Sequence, residues 1–256
     1  MSGNVYVMSD IHGNSRRFES VMKKISLQPE DTLYILGDVI DRYPDGIKLL
    51  REIMKMPNVK MLLGNHEHMM LCVLDKEYYK KIYGNKKPMF IHDDFLWYAN
   101  GGYGTHMYLK HIRKEVRAEI FEYLRNLPLN YDINVNGQKF KLIHGGCVEH
   151  YEKYKESYSN LTEYAVWHRI DDEAMFFSED YVLVFGHTPT NDYSDKNPLC
   201  IFESNNVFGI DCGSGFSLSE SKRHSYPDLG RLACLRLNDL KEFYSDEDYV
   251  LEGKEV

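Results

Sequence analysis

The sequence predicts an α/β protein with a layered sheet of parallel strands, and two observations carry that prediction. Short apolar runs of β type alternate with helical patterns along the N-terminal part of the chain. Each run also stops at polar residues close to a glycine, the arrangement that gathers active-site groups beyond the carboxyl ends of strands in open α/β sheets.

Taken in order, Val5–Met8 is the first strand, ending in Ser9-Asp10. Ser15–Ile25 carries Phe18, Val21, Met22 and Ile25 on one side, which is a helical period. Residues 32–36 form the second strand, ending in Gly37-Asp38, and 47–54 the second helix. Residues 59–63 form the third strand, ending in Gly64-Asn65. The segment 75–100 breaks the rhythm. Tyr78, Tyr79, Tyr83, Trp97 and Tyr98 stand there among lysines at 76, 80, 81, 86 and 87, and it reads as an insertion or cap. A long charged helix is expected over 111–127, stopped by Pro128. Residues 131–135 and 139–143 alternate about Asn136-Gly137, a hairpin signature. Further strands are expected over 181–185, 199–202, 207–210 and 232–237. With no internal repeat and no linker, 1–244 reads as a single domain and 245–256 as an acidic tail that frays.

The chain has 256 residues, with 31 Lys plus Arg against 39 Asp plus Glu, a formal charge of −8. At 43% hydrophobic and 13% aromatic residues it can build a core, which argues against intrinsic disorder. The acidic balance argues against a nucleic-acid duplex as partner, since that needs positive surface. No run approaches the roughly 18–20 apolar residues of a spanning helix. The N-terminus also lacks the basic and apolar pattern of a signal peptide. No membrane partner and a cytoplasmic location are therefore expected. Cys72, Cys147, Cys200, Cys212 and Cys234 show no CxxC pairing and read as reduced core thiols.

Five motifs stand at strand ends: Asp10-Ile11-His12-Gly13-Asn14, Gly37-Asp38-Val39-Ile40-Asp41-Arg42, Gly64-Asn65-His66-Glu67, His144-Gly145-Gly146 and Gly186-His187-Thr188-Pro189. Their carboxylates, imidazoles and amide suit Mn, Fe or Zn better than a soft thiolate site would. Two metals about 3.5–4 Å apart need a shared ligand, and a carboxylate has two oxygens to share. Asp38, on the middle of the three strands, is the natural bridge. The first three motifs are spaced by about one βαβ unit of ~30 residues.

In this order and spacing the motifs resemble those of the calcineurin-like metallophosphoesterases, and within them the phosphoprotein phosphatase family. Ile210-Asp211-Cys212-Gly213-Ser214-Gly215 and Gly230-Arg231-Leu232 resemble the family's last strands, so the likeness covers nearly the whole chain. The resemblance implies an α/β fold of two mixed β-sheets in a sandwich flanked by helices, with a small inserted cap at about 76–100. It implies two divalent metal ions, manganese first and iron or zinc as alternatives. Asp10, His12 and Asp38 would hold one ion, and Asp38, Asn65, His144 and His187 the other. Arg42, Asn65 and Arg169 would contact the phosphate, Arg169 on the short match Trp167-His168-Arg169. His66 would be the general acid, oriented and kept cationic by Asp41. A water activated between the ions would attack phosphorus in line with the leaving oxygen, so no Cys or Ser nucleophile is assigned. Glu67 is expected to support the start of a helix. After Asp41-Arg42 the family usually has Gly, whereas this chain has Tyr43-Pro44-Asp45-Gly46.

Three functions fit these motifs. The first is a serine/threonine protein phosphatase, favoured by compact length and sparse decoration; its partner would be a phosphorylated protein or a small phosphate ester. The second is a nucleotide hydrolase resembling symmetrical diadenosine tetraphosphatase, in which Tyr78, Tyr83, Lys80 and Lys86 of the insertion would stack bases and bind polyphosphate. The third is a binding scaffold without turnover. The complete ligand set with His66 and Asp41 argues against it, since a scaffold has no use for a general acid.

Overall fold

The computed structural model describes residues 3–88, 94–170, 180–193, 199–216 and 230–246. Apolar residues on both faces of β1 (Val5–Met8) set the architecture. Tyr6 and Met8 point to one side and Val7 to the other, and all three are buried. A strand buried on both faces belongs inside a stack of layers. β1 runs parallel to β2 (Thr32–Ile35), and β2 to β3 (Val59–Met61). On its other side β1 is antiparallel to β9 (Ala233–Arg236), which pairs with the edge strand β10 (Lys241–Tyr244).

The second sheet opens with the hairpin of β4 (Asn130–Val135) and β5 (Gln138–Ile143). Its Asn136 and Gly137 have φ of 53° and 88°, the left-handed pair that a two-residue hairpin turn demands. β5 is parallel to β6 (Val182–Phe185), β6 to β8 (Val207–Gly209), and β7 (Phe202–Ser204) closes the edge antiparallel to β8. The result is two five-stranded mixed sheets face to face. Val7, Tyr34, Leu36 and Leu62 meet Phe140, Leu142, Val184 and Ile210 between them. Burying each such Leu, Ile or Val contributes about 1.5–3 kcal/mol. The helices α1 (Ser15–Ile25), α2 (Gly46–Ile53) and α3 (Asn65–Leu74) cover the outer face of the first sheet through Phe18, Val21, Leu50, Met70 and their neighbours.

The inserted segment forms α4 (Lys76–Tyr83) and α5 (Asp94–Ala99), and it packs into that same core. Tyr78 and Tyr83 are each 3% exposed, and their hydroxyls bond the buried His68 ring at Nδ1 (2.7 Å) and Nε2 (2.9 Å). Side chains so enclosed cannot stack on a base, which corrects their expected role. The helix expected over 111–127 is α7 (Lys114–Arg125), and a helix not expected from the sequence, α6 (Tyr103–His111), precedes it. Ile112 and Arg113 are extended, with ψ of 159° and 145°, and turn the chain between them. The short helices α8 (Tyr151–Tyr154) and α9 (Leu161–Trp167) complete the described set. The strand expected over 199–202 begins only at Phe202, because Leu199 adopts φ 62°. Of the expected tail, Ser245 and Asp246 are fixed, by Leu232 and by Ser20 and Lys24. The remainder, 247–256, lies outside the described residues. Among the described residues no helix is long and apolar enough to cross a membrane.

Candidate active site

The parallel strands all deliver their carboxyl ends to one seam between the sheets. Asp10 and His12 follow β1, Asp38 follows β2, and Asn65 and His66 open α3 just after β3. His144 follows β5 and His187 follows β6. Asp10, His12, Asp38, Asp41, Arg42 and His187 all have φ between 53° and 72°. Left-handed backbone at non-glycine residues costs of order 1–3 kcal/mol each, and it persists where the surroundings hold it. Here the holders are visible. His12 N donates to the Asp38 carbonyl (2.9 Å) and Gly13 N to the Val39 carbonyl (2.7 Å). The Glu67 carboxylate accepts from Asp38 N, Val39 N and Ile40 N (2.9, 2.9 and 3.3 Å). Tyr43, where the family usually has glycine, donates its hydroxyl to the Phe216 carbonyl (2.9 Å) and ties this loop to the C-terminal side.

Asp38 stands at the centre. His66 N, in the first turn of α3, donates to its Oδ1 (3.0 Å), where the positive end of a helix favours a carboxylate. The approach is so close that a Cβ on Gly64 would lie 2.2 Å from Asp38 Oδ1. His12 Nε2 faces Asp10 Oδ1 (3.8 Å) and Asp38 Oδ2 (3.9 Å). His144 Nε2 faces Asp38 Oδ1 (3.6 Å) and Asn65 Oδ1 (3.0 Å). His187 Nδ1 lies 2.9 Å from the same Asn65 oxygen. All of these side chains are buried.

The outer nitrogen of each of these three rings faces a backbone carbonyl. His12 Nδ1 donates to Ile40 O (3.3 Å), His144 Nδ1 to Leu36 O (2.7 Å) and His187 Nε2 to Trp167 O (3.3 Å). The inner nitrogens then carry no proton, and His144 Nε2 accepts a long bond from Asn65 N (3.3 Å). Nε2 of His144 and Nδ1 of His187 approach the Asn65 oxygen as acceptor against acceptor, with no proton between. A cation resolves that conflict, and a ring fixed by an outer N–H is how histidine presents itself to metal. Burial lowers the pKa of all three imidazoles, with Arg42 adding to the effect on His12, so the neutral ligand form is favoured. Burial, with Asp10 and Glu67 nearby, pushes the Asp38 carboxyl up, so positive charge is wanted at the same place. The donors fall into two groups that could hold a metal ion, His12 with Asp38 and His66, and Asp38 with His144 and His187. Asp38 is common to both, and no cysteine is in either. The residues therefore fit two divalent ions of borderline hardness.

His66 differs from the other rings in its outer partner. Its Nδ1 meets the Asp41 carboxylate at 2.8 Å rather than a carbonyl. Asp41 raises the His66 pKa, but burial lowers it by more, so the expected cation is not the favoured resting state. Arg42 and Arg169 are exposed. The charge of Arg42 bears on His12 and His66, and that of Arg169 on His144 and His187. Arg169 Nη1 also lies 3.9 Å from Asp192 Oδ2. The structure thus gathers every residue singled out from the motifs around one seam. It adds Glu67 as the brace of the Asp38 loop and Asp211, whose buried carboxyl is pushed up by burial and by Asp10. Asp211 lies in a motif that the sequence marked only as a late strand.

A two-sheet sandwich with such a ligand cluster at the strand ends defines a metallophosphoesterase. The profile of the calcineurin-like phosphoesterase family matches residues 3–212, and the chain belongs to that family. The family is one of phosphoesterases. The chain is similar to the symmetrical bis(5′-nucleosyl)-tetraphosphatase of Acidovorax sp. strain JS42, at 28% identity over 146 residues, 56% of this chain and 44% of the relative. It spans less than half the length of the curated relatives it matches. The fold is shared with a crystal structure of a candidate diadenosine tetraphosphatase, at TM-score 0.60 and 17% identity over 97% of this chain and 96% of that one. It is shared as well with the cold-active protein-tyrosine phosphatase of a Shewanella species, at TM-score 0.53 and 17% identity over 96% and 81%.

Proposed function

We propose that this protein is a dinuclear-metal hydrolase of dinucleoside polyphosphates, of the symmetrical tetraphosphatase kind. The convergence of three unprotonated imidazole nitrogens on Asp38 and Asn65 supports the hydrolase; the names of its curated relatives support the substrate. Motifs alone put a serine/threonine protein phosphatase first, and the relatives reverse that order. Asp10, His12 and Asp38 would hold one ion, and Asp38, Asn65, His144 and His187 the other, with manganese the first metal to try. Divalent ions bound there supply Lewis acidity and lower the pKa of water towards neutrality.

The remaining chemistry belongs to the chain's own side chains. Arg42 and Arg169, both exposed and both close enough for their charge to bear on the histidines, would give a phosphate group bidentate donors. Asn65 keeps its amide nitrogen for the same group while its oxygen faces the two rings. The departing oxygen needs a proton, and His66 Nε2 faces the seam to give it. Asp41 accepts from the other ring nitrogen, fixes the ring plane and stabilises its cationic form. An arriving polyphosphate chain adds negative charge beside His66 and shifts it towards that form.

The test is hydrolysis with Mn²⁺ of diadenosine tetraphosphate beside a phosphoserine and phosphothreonine peptide panel, with Asp38→Asn as blank. A kcat/KM at least about tenfold higher for the dinucleotide, or roughly 1.4 kcal/mol of discrimination, is expected. The reverse preference would return the assignment to protein phosphatase.

A further inference from the structure

We infer that Trp97 is a positioning residue of the acid pair, holding Asp41 and through it His66. The inference rests on His66 acting as the acid. Trp97 is on α5, inside the inserted segment, and is fully buried. Its indole Nε1–H donates to Asp41 Oδ2 at 2.8 Å, the oxygen that also meets His66 Nδ1 at 2.8 Å. Asp41 is wholly buried, and its Oδ1 has no hydrogen-bond partner among the described residues. Without the indole, the carboxylate would be held only by the ring it has to orient. With it, two donors from separate elements pin Oδ2, the oxygen that meets the ring.

The backbone gives a second, independent observation. Asp41 and Arg42 are consecutive left-handed residues, with φ of 72° and 66°. The segment that carries Trp97 also grips this pair, since Arg42 N donates to the Gly101 carbonyl at 3.3 Å. The indole is itself seated. Gly102 N donates to the Trp97 carbonyl (2.9 Å), and a Cβ on Gly102 would fall 2.2 Å from Trp97 Nε1. His106 stacks on the ring at 5.5 Å and 27°, and the Tyr98 hydroxyl bonds His106 at 2.6 Å. Burial alone would be served by any large ring. A seated N–H aimed at the carboxylate that orients the acid is a more specific arrangement. The inserted segment is thereby part of the proton-delivery apparatus.

Two measurements test this. In the ¹⁵N-labelled metal-free full chain, the Trp97 indole N–H, assigned against Trp167→Phe, should resonate downfield and exchange slowly. Asp41→Ala should move it upfield and speed its exchange; an unmoved resonance overturns the contact. With Mn²⁺ present, Trp97→Phe should lose about 10–100-fold in kcat on an alkyl phosphate, the usual cost of removing an outer partner, and little on nitrophenyl phosphate. Equal losses on both esters overturn the positioning role and leave Trp97 as packing. His66→Asn on the same pair separates the failures. A leaving-group split in His66→Asn with none in Trp97→Phe overturns the role of Trp97 alone. No split in either overturns the acid reading, and Trp97 with it. Should Trp97→Phe fail to fold, the resonance decides.

Discussion

At the scale of single residues, burial sets protonation states. His68 is buried between Tyr78 and Tyr83, and loss of solvent pushes its pKa down to about 3. The unfolded chain takes up a proton there near the ordinary value of 6.5, and the native state does not. Unfolded protein therefore binds more protons between about 3 and 6.5. Stability from this site is complete above 6.5 and lost as pH falls through that window, by at most about 1.4 kcal/mol per pH unit. His68→Gln should flatten the acid limb of urea-measured stability by up to that slope; equal slopes would mean that His68 titrates normally in the native state. The legibility of residues follows the same physics of contact. Asp10, His12, Asp38, Asn65, His144 and His187 are legible because each sits in a short string at a strand end. The second partner of Asp41, Trp97, is not, because the indole that bonds it is 56 positions away and no local period links the two. Glu67 was legible as a helix-start residue, but its three bonds to the Asp38 loop depend on how α3 meets β2.

At the scale of elements, the inserted segment changes meaning once its tyrosines are seen inside. The Tyr83 hydroxyl contacts both Glu163 Oε1 (3.4 Å) and His68 Nε2 (2.9 Å), and so links α4, α3 and α9. Tyr83→Phe would leave a buried ring nitrogen with only the Cys72 thiol at 3.7 Å, a weak partner, at a cost of about 1–3 kcal/mol. Denaturation midpoints should record that loss, while the kcat/KM ratio between dinucleotide and phosphopeptide stays as in the parent. A shifted ratio would return Tyr83 to the substrate. Elements whose pattern is local and apolar were legible, and β1 and α1 have the bounds their periods predict. β10 was not, because Lys241-Glu242-Phe243-Tyr244 is an edge strand with two exposed charged residues, and alternation fades where one side meets water. α6 was not legible because only Thr105 and Leu109 of it are buried, too few to make an apolar stripe at the helical period.

At the scale of the whole molecule, the ligands come from both sheets. Asp10, Asp38 and Asn65 follow strands of the first, while His144 and His187 follow strands of the second. Bound ions would therefore rivet the sandwich as well as serve the reaction. At 100 times its Kd an ion adds about 2.7 kcal/mol to stability. Adding Mn²⁺ should raise the Tm of the wild-type protein and chelation should lower it again, while Asp38→Asn should respond to neither. An identical Tm with and without Mn²⁺ in the wild-type chain would remove the ions from the seam. The order of strands has one more consequence. β1 lies between β2 and β9, with Tyr6 opposite Arg236. On the ribosome β1 is made before the second sheet and β9 after it. One edge of β1 therefore lacks its native neighbour until β9 has emerged, so the first sheet is completed only after the second has been made.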